Sequence, residues 1–442
     1  VCKAEKGALP LSFSKRKLRF NTLALHAGQE PDPTTLARGV PIHRTSSYVF
    51  RDNEHAAALF SLKELGNIYT RLMNPTTDVL EQRMAALEGG VGGLALASGT
   101  SAILYSLINC MEAGDEFVSA RDIYGGTYTM FNNILPQFDI KVKFADHDKP
   151  QQFRDAITSK TRAILIEPIG NPRLRIPDFD EIAAIAKVAQ VPLIVDSTFA
   201  PPCMFRPIEH GADVVVHSLT KWIGGHGTGI GGIVVDAGKF DWTDPKFRLF
   251  NEPESSYFGI RFAHDLGDLQ PMAYILRMRL VALRNLGACI SPDNAWMFLQ
   301  GLETLSLRME RHCSNSLAVA RFLKDHNNVE WVLYPGLEGD PSYDTAQRYF
   351  KNGAGGAVVV FGIKGGAAAA EKFINNLSLF SHLANVGDAK SLAIHPAGTT
   401  HSQLTPEQQS EAGVSPDLVR LSVGIEDIED ILEDLDLALK ID

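Results

Sequence analysis

The sequence predicts an α/β protein: a large, mainly parallel sheet domain followed by a smaller C-terminal α/β domain. Three observations carry that prediction. Short apolar runs recur at 93–97, 116–120, 141–145, 163–167, 191–196, 213–217 and 230–236, the pattern of strands buried on both faces. Helical periodicity separates them, as in Asp178–Val188, and such alternation builds βαβ units. A Ser291-Pro292 start then opens a helical period reaching His326, as expected of a connector helix with proline in its first turn.

Along the chain, Leu94-Ala-Leu-Ala97 enters a Ser98-Gly99-Thr100 turn ahead of an apolar helical stretch, Ile103 to Cys110. Backbone N–H groups at a helix N-terminus bind anions, so Gly99 and Thr100 are candidate phosphate donors. Taken alone, the turn is better explained as an ordinary helix N-cap. The 116–120 run leads to Asp122-Ile-Tyr124-Gly-Gly126, which sets Tyr124 at a strand end, either as a half-buried core residue or stacked on a flat cofactor with its hydroxyl toward substrate. Glu167-Pro-Ile-Gly-Asn171-Pro172 is a turn by composition. The 191–196 run ends in Asp196, at the edge where open α/β sheets bind ligands.

The 213–217 run opens the most informative stretch, His217-Ser-Leu-Thr-Lys-Trp-Ile-Gly-Gly-His226. A lysine holds an aldehyde covalently when its amine is partly desolvated and the ligand is clamped elsewhere. Ser218 and Thr220 offer hydroxyls for a phosphate clamp beside Lys221. A carboxylate such as Asp196 keeps a pyridinium nitrogen protonated, making the ring an electron sink. Pyridoxal 5′-phosphate fits these requirements, with Lys221 and Tyr124 as candidate catalytic residues. Gly227-Thr-Gly-Ile-Gly-Gly232 matches G-x-G-x-x-G, but a dinucleotide fingerprint follows a strand and opens a helix, whereas this run precedes a strand. Its glycines instead let the backbone pass near the cofactor.

Asp213-Val-Val-Val-His-Ser-Leu-Thr-Lys-Trp-Ile-Gly-Gly-His-Gly227 resembles the lysine signature of the Cys/Met-metabolism family of pyridoxal-phosphate enzymes, and Ile68-Tyr-Thr-Arg-Leu-Met-Asn-Pro-Thr76 resembles its tyrosine-arginine segment. The resemblance runs from about Phe20 to Leu439. It implies a fold type I, aspartate-aminotransferase-like architecture with an N-terminal arm and intersubunit segment at 1–70, a cofactor-binding domain at 71–301 and a small domain at 302–442. It implies a homotetramer, a dimer of dimers, in which Tyr69 and Arg71 reach the neighbouring subunit's phosphate; a guanidinium fork suits that task. It further implies that Asn171 bonds the cofactor's phenolic oxygen and that Arg420 grips the substrate α-carboxylate, with Ser391 and Tyr69 also in the substrate site. Two positions depart from the pattern. Thr100 stands where relatives often carry methionine or glutamine, and Gly126 where methionine γ-lyases carry a reactive cysteine.

The activity implied is a γ-replacement in methionine and cysteine biosynthesis, O-acetyl-L-homoserine plus sulfide giving L-homocysteine and acetate. Cystathionine γ-synthase or γ-lyase activity is the alternative within the family; a noncatalytic pyridoxal-phosphate-binding protein is the alternative of another class. Longer segments at 240–259 and 394–409 are expected to narrow the entrance in favour of a small nucleophile.

Composition bounds the remainder. No uninterrupted apolar stretch has the length a bilayer needs, so no membrane partner is expected. A net charge of −10 disfavours nucleic acid. Five scattered cysteines without C-x-x-C suit a reducing, cytoplasmic setting. Val1–Arg19 carries Lys3, Lys6, Lys15, Arg16, Lys17 and Arg19 against Glu5. It reads either as the trimmed end of an organellar targeting segment or as a basic arm. His382, His395 and His401 lack metal-ligand spacing, so no metal is expected; His395 and His401 either line the substrate pocket or are satisfied in the core. At 426–436, acids alternate with Ile428, Ile431, Leu432 and Leu435, the pattern of an amphipathic surface helix.

Overall fold

The larger sheet is built from β1 (Gly92–Leu96), β2 (Glu116–Ala120), β3 (Lys141–Ala145), β4 (Thr161–Ile166), β5 (Leu193–Asp196), β6 (Val214–Ser218) and β7 (Gly232–Asp236). They lie in the order β1-β7-β6-β5-β4-β2-β3. This computed structural model describes residues 17–400, 402, 405, 409 and 413–440; the first sixteen residues of the basic arm and His401 lie outside them. Pairings from β6 through β5, β4 and β2 to β3 are parallel, and β1, β5 and β7 are buried throughout. β7 is the exception in direction, running antiparallel to both β6 and β1. Its link to β6 is the glycine-rich 219–231 turn, which contains no crossover helix, and a parallel pair requires a crossover.

The helices follow their local signals. Asn74 caps helix Pro75–Glu88 through Thr76 N, and Asp178 caps Phe179–Ala189 through Glu181 N. The expected connector is two helices: Pro292–Glu303, capped by Ser291, and Leu305–Asp325. They break at Thr304, whose φ of −113° and ψ of 7° leave the helical region.

The smaller sheet has the order β10-β11-β12-β9-β8, built from β8 (Val329–Leu333), β9 (Val358–Ile363), β10 (Ser381–His382), β11 (Leu392–Ile394) and β12 (Leu418–Ser422). Helices Leu305–Asp325, Gly366–Asn376 and Ile428–Leu439 pack together on one face. Side chains alternate across a strand. Val359, Phe361, Val419 and Leu421 therefore join the core under those helices, whereas Val358, Val360 and Leu418 join the core of the larger sheet. Arg420 pairs with Val360 and shares its face, so the strand period aims it at the larger sheet.

Candidate functional site

The strand ends at one edge of the larger sheet collect the candidate residues, where ligands of such sheets bind. Asp196, at the end of β5, is 7% exposed. Its Oδ1 accepts from Thr198 N at 3.1 Å and Thr198 Oγ1 at 2.6 Å. Thr198 Oγ1 accepts in turn from Ser218 N at 2.8 Å, so one threonine sets both Asp196 and the end of β6. Just past β4, buried Glu167 accepts the backbone N–H of Tyr124 at 2.8 Å. Burial, then the charge of Asp196, raises the Glu167 pKa well above the carboxylate range. Burial raises Asp196 too, opposed by Thr198 and His217. Of this pair Glu167 is pushed up more strongly, while Thr198 and His217 favour the Asp196 anion that a pyridinium needs.

At the helix Gly99–Ile108, Ser98 accepts from Ser101 N at 3.0 Å. The first N–H groups of a helix have no intrahelical partner, which leaves those of Gly99 and Thr100 for an anion. A Cβ on Gly99 would lie 2.6 Å from Ser218 Cβ, and one on Gly232 2.1 Å from the Ser98 carbonyl oxygen. Glycine is thus required where the Ser98–Thr100 turn, Ser218 and the start of β7 converge. The Thr220 hydroxyl stands beside them, accepting from Gly231 N at 3.1 Å. This cradle of backbone donors and hydroxyls fits a phosphate.

Lys221 and Arg420 meet across the cleft between the sheets. Lys221 Nζ donates to Asn385 Oδ1 at 2.5 Å, and Arg420 Nη1 to Asn171 Oδ1 at 3.3 Å. Among the described residues neither cation forms an ion pair. Burial, and secondly Arg420, brings the Lys221 amine down to about 8; burial brings Arg420 down to about 10. Two half-buried cations side by side without acids are partly desolvated and repel each other, so an anionic ligand in the cleft would be favoured. Tyr124 is 52% exposed and electrostatically coupled to Arg420. A Cβ at Gly126 would lie 2.5 Å from Tyr124 Cε1, so glycine permits this ring position.

Residues 21–440 match the family described as Cys/Met metabolism PLP-dependent enzyme. The chain belongs to this family. An O-acetyl-L-homoserine sulfhydrylase of Leptospira meyeri is 56% identical, over 96% of this chain and 97% of that protein. A homocysteine synthase of Schizosaccharomyces pombe is 52% identical, over 96% and 98%. A solved Campylobacter jejuni structure, named as an O-acetylhomoserine (thiol)-lyase and containing a pyridoxyl-lysine monophosphate, superposes with a TM-score of 0.92 at 39% identity, covering 96% of this chain and all of that one.

The remaining candidate residues have the following surroundings. Tyr69 and Arg71 are exposed and stack on each other, the guanidinium 5.2 Å from the ring centre. Ser391 is buried with its hydrogen bonds committed: its N–H and hydroxyl donate to Glu426 at 2.6 and 2.9 Å, and its oxygen accepts from Gly424 N at 2.9 Å. His395 is buried with Nε2 2.8 Å from the Pro416 carbonyl, the core-satisfied alternative, and His382 is exposed. The 240–259 segment packs its own aromatic core. Trp242 stacks on Phe250 at 4.3 Å and on Tyr274 at 5.0 Å, and Tyr257 bonds the Phe60 carbonyl at 2.9 Å. Three contributors went unread in the sequence. Glu167 carried the same signal as Asp196, an acid closing an apolar run; Thr198 follows Asp196 by two positions; Asn385 had no local signal.

Proposed function

We propose that this chain is a pyridoxal-phosphate-dependent transferase performing γ-replacement on O-acetyl-L-homoserine with sulfide, releasing L-homocysteine and acetate. The observation that carries the reading is the cleft itself: Lys221 and Arg420, two half-buried cations without acidic partners among the described residues, lie across from each other beside Asp196 and the Gly99–Ser218 cradle. Relatives named as sulfhydrylases and homocysteine synthases at 52–56% identity support the choice of substrate.

Lys221, Asp196 and Asn171 would hold the cofactor's aldehyde carbon, ring nitrogen and phenolic oxygen. Gly99, Thr100, Ser218 and Thr220 would hold its phosphate, with Tyr124 over the ring. When bound, the cofactor supplies an electron sink that acidifies the substrate Cα–H. Arg420 grips the substrate α-carboxylate by charge-assisted hydrogen bonds, which orients Cα toward Lys221. The Lys221 amine takes the Cα proton and moves protons to and from Cβ, a task suited to a base with a pKa of about 8. Tyr124 assists at the same face, and its position depends on Glu167. Acetate leaves from Cγ and sulfide takes its place.

Tyr69 and Arg71 act, in this reading, in the phosphate site of the neighbouring subunit of a homotetramer; their exposure on the single chain supports it. The division at 70/71 and 301/302 belongs to the same reading. Among the described residues no helix is long and apolar enough to cross a membrane. A cytoplasmic setting is supported by the free Cys110, Cys203, Cys289 and Cys313.

The test is a product assay with O-acetyl-L-homoserine and either sulfide or L-cysteine. Homocysteine as the dominant product supports the proposal. Cystathionine as the dominant product assigns the chain to the γ-synthase alternative, and absent turnover despite a cofactor spectrum that responds to amino acids would make it an inert binder.

A further inference from the structure

The long helix Leu305–Asp325 buries a polar stripe. Arg308, His312 and Asn315 are 6%, 0% and 3% exposed, and their i, i+4, i+7 spacing puts them on one face. Arg308 and Asn315 direct their donors chiefly to backbone carbonyls, and His312 does the same. Arg308 donates to the carbonyls of Trp222 at 2.7 Å, Ile223 at 3.2 Å and Gly301 at 2.7 Å. His312 Nδ1 donates to the Val423 carbonyl at 2.7 Å. Burial brings this imidazole down to about 4, so it serves as a neutral, single donor. Asn315 Nδ2 donates to the carbonyls of Gly424 at 3.1 Å and Glu426 at 2.9 Å.

Apart from Gly301 on the preceding helix, both sets of acceptors belong to the backbone that follows the two residues across the cleft. Trp222 and Ile223 follow Lys221; Val423 and Gly424 follow Arg420 at the end of β12. The connection closes on its other side as well, because Ala389 N donates to the Gly225 carbonyl at 2.8 Å and Ile425 N to the Ala389 carbonyl at 2.9 Å. The fit at the lysine turn is tight: a Cβ on Gly225 would lie 2.2 Å from Arg308 Nη1. A helix transmits position along its axis with little bending, so one turn-to-turn row of donors references both cations to one rigid body.

We propose that Arg308, His312 and Asn315 are positioning residues that fix the Lys221 turn and the Arg420 strand end relative to each other, setting where a substrate held by its α-carboxylate presents Cα to the lysine amine. This rests on the roles of Lys221 and Arg420 given above. It predicts a division of labour along the helix. Loosening the Arg308 end misplaces the base and lowers the rate of proton transfer; loosening the His312–Asn315 end misplaces the carboxylate grip and weakens binding.

The test uses the holoenzyme and glycine, which has an α-carboxylate and an α-proton but no γ-leaving group. Binding is read from the cofactor absorbance shift, and proton transfer from glycine α-proton exchange in heavy water, so neither readout depends on sulfide or O-acetylhomoserine. Arg308→Lys is expected to keep glycine affinity within about threefold while slowing exchange at saturation about tenfold or more, since small displacements at a reacting centre are costly in rate. Asn315→Ala and His312→Gln are expected to show the reverse, affinity down about tenfold and saturated exchange within about threefold. Asn315→Ala and His312→Gln carry the prediction alone should Arg308→Lys not fold. Variants that match the parent in both readouts, or that lose both together, overturn the proposal while leaving the reading of the cleft intact. A parent holoenzyme that neither shifts nor exchanges refutes that reading and this proposal with it.

Discussion

Lys221 Nζ and Asn385 Oδ1 lie 2.5 Å apart, joining the larger sheet's lysine turn to the loop between β10 and β11 of the smaller sheet. The lysine therefore sits in the cleft between the two cores, where burial and Arg420 hold its amine near 8 rather than the ordinary 10.5.

That depressed value gives a pH signature for cofactor uptake. The neutral amine attacks an aldehyde, so reloading of apoenzyme with pyridoxal phosphate should accelerate as pH rises toward about 8 and level off above it. Removing the positive charge in Arg420→Met should move the midpoint upward. Stopped-flow absorbance across pH checks both, and a rate still climbing toward 10.5 would contradict the burial argument.

Arg420→Met should separate substrate grip from cofactor binding. Hydrogen bonds to charged groups contribute about 1.5–3 kcal/mol, so kcat/KM should fall at least about tenfold, with the cofactor spectrum retained. Steady-state kinetics on the holoenzyme provide the measurement; an unchanged kcat/KM would remove Arg420 from the substrate site.

Gly99→Ala probes the phosphate cradle. Its Cβ would press on Ser218 Cβ at 2.6 Å, and overpacking of this kind costs about 1–3 kcal/mol. Cofactor affinity should fall about tenfold, measured by titrating apoenzyme with pyridoxal phosphate. Unchanged affinity would mean that the turn does not meet the phosphate.

Behind the site, His217 Nε2 and Glu88 Oε1 are 2.6 Å apart and both side chains are fully buried. Glu88→Ala leaves the imidazole without that partner, and an unsatisfied buried polar group costs about 1–3 kcal/mol. Denaturant unfolding should show a loss of that size, and a midpoint matching the parent would show that the pair contributes nothing.

The strands and the lysine turn were legible because their signals are local. A buried strand writes itself as an apolar run, and β2 and β3 carry the expected bounds. Lys221, Ser218 and Thr220 are sequence neighbours, and Asp196 marks a strand end. The direction of β7 was not legible, since an apolar run has no sign; neither was the break at Thr304, whose neighbours on both sides keep the helical period. Asn385 and the Arg308–His312–Asn315 stripe escaped because their meaning lies in acceptors distant in sequence, and polar residues at helical spacing ordinarily indicate a solvated face. The aromatic cluster within the 240–259 segment was not legible either: Trp242, Phe247 and Phe250 are buried and pack on one another and on Tyr274.

The central claim is that the Lys221 amine is the covalent anchor of the cofactor. Borohydride reduction of the pyridoxal-phosphate-loaded protein, followed by digestion and mass spectrometry, should place the pyridoxyl group on the peptide containing Lys221. A pyridoxyl group on any other lysine, with Lys221 unmodified, would contradict the account.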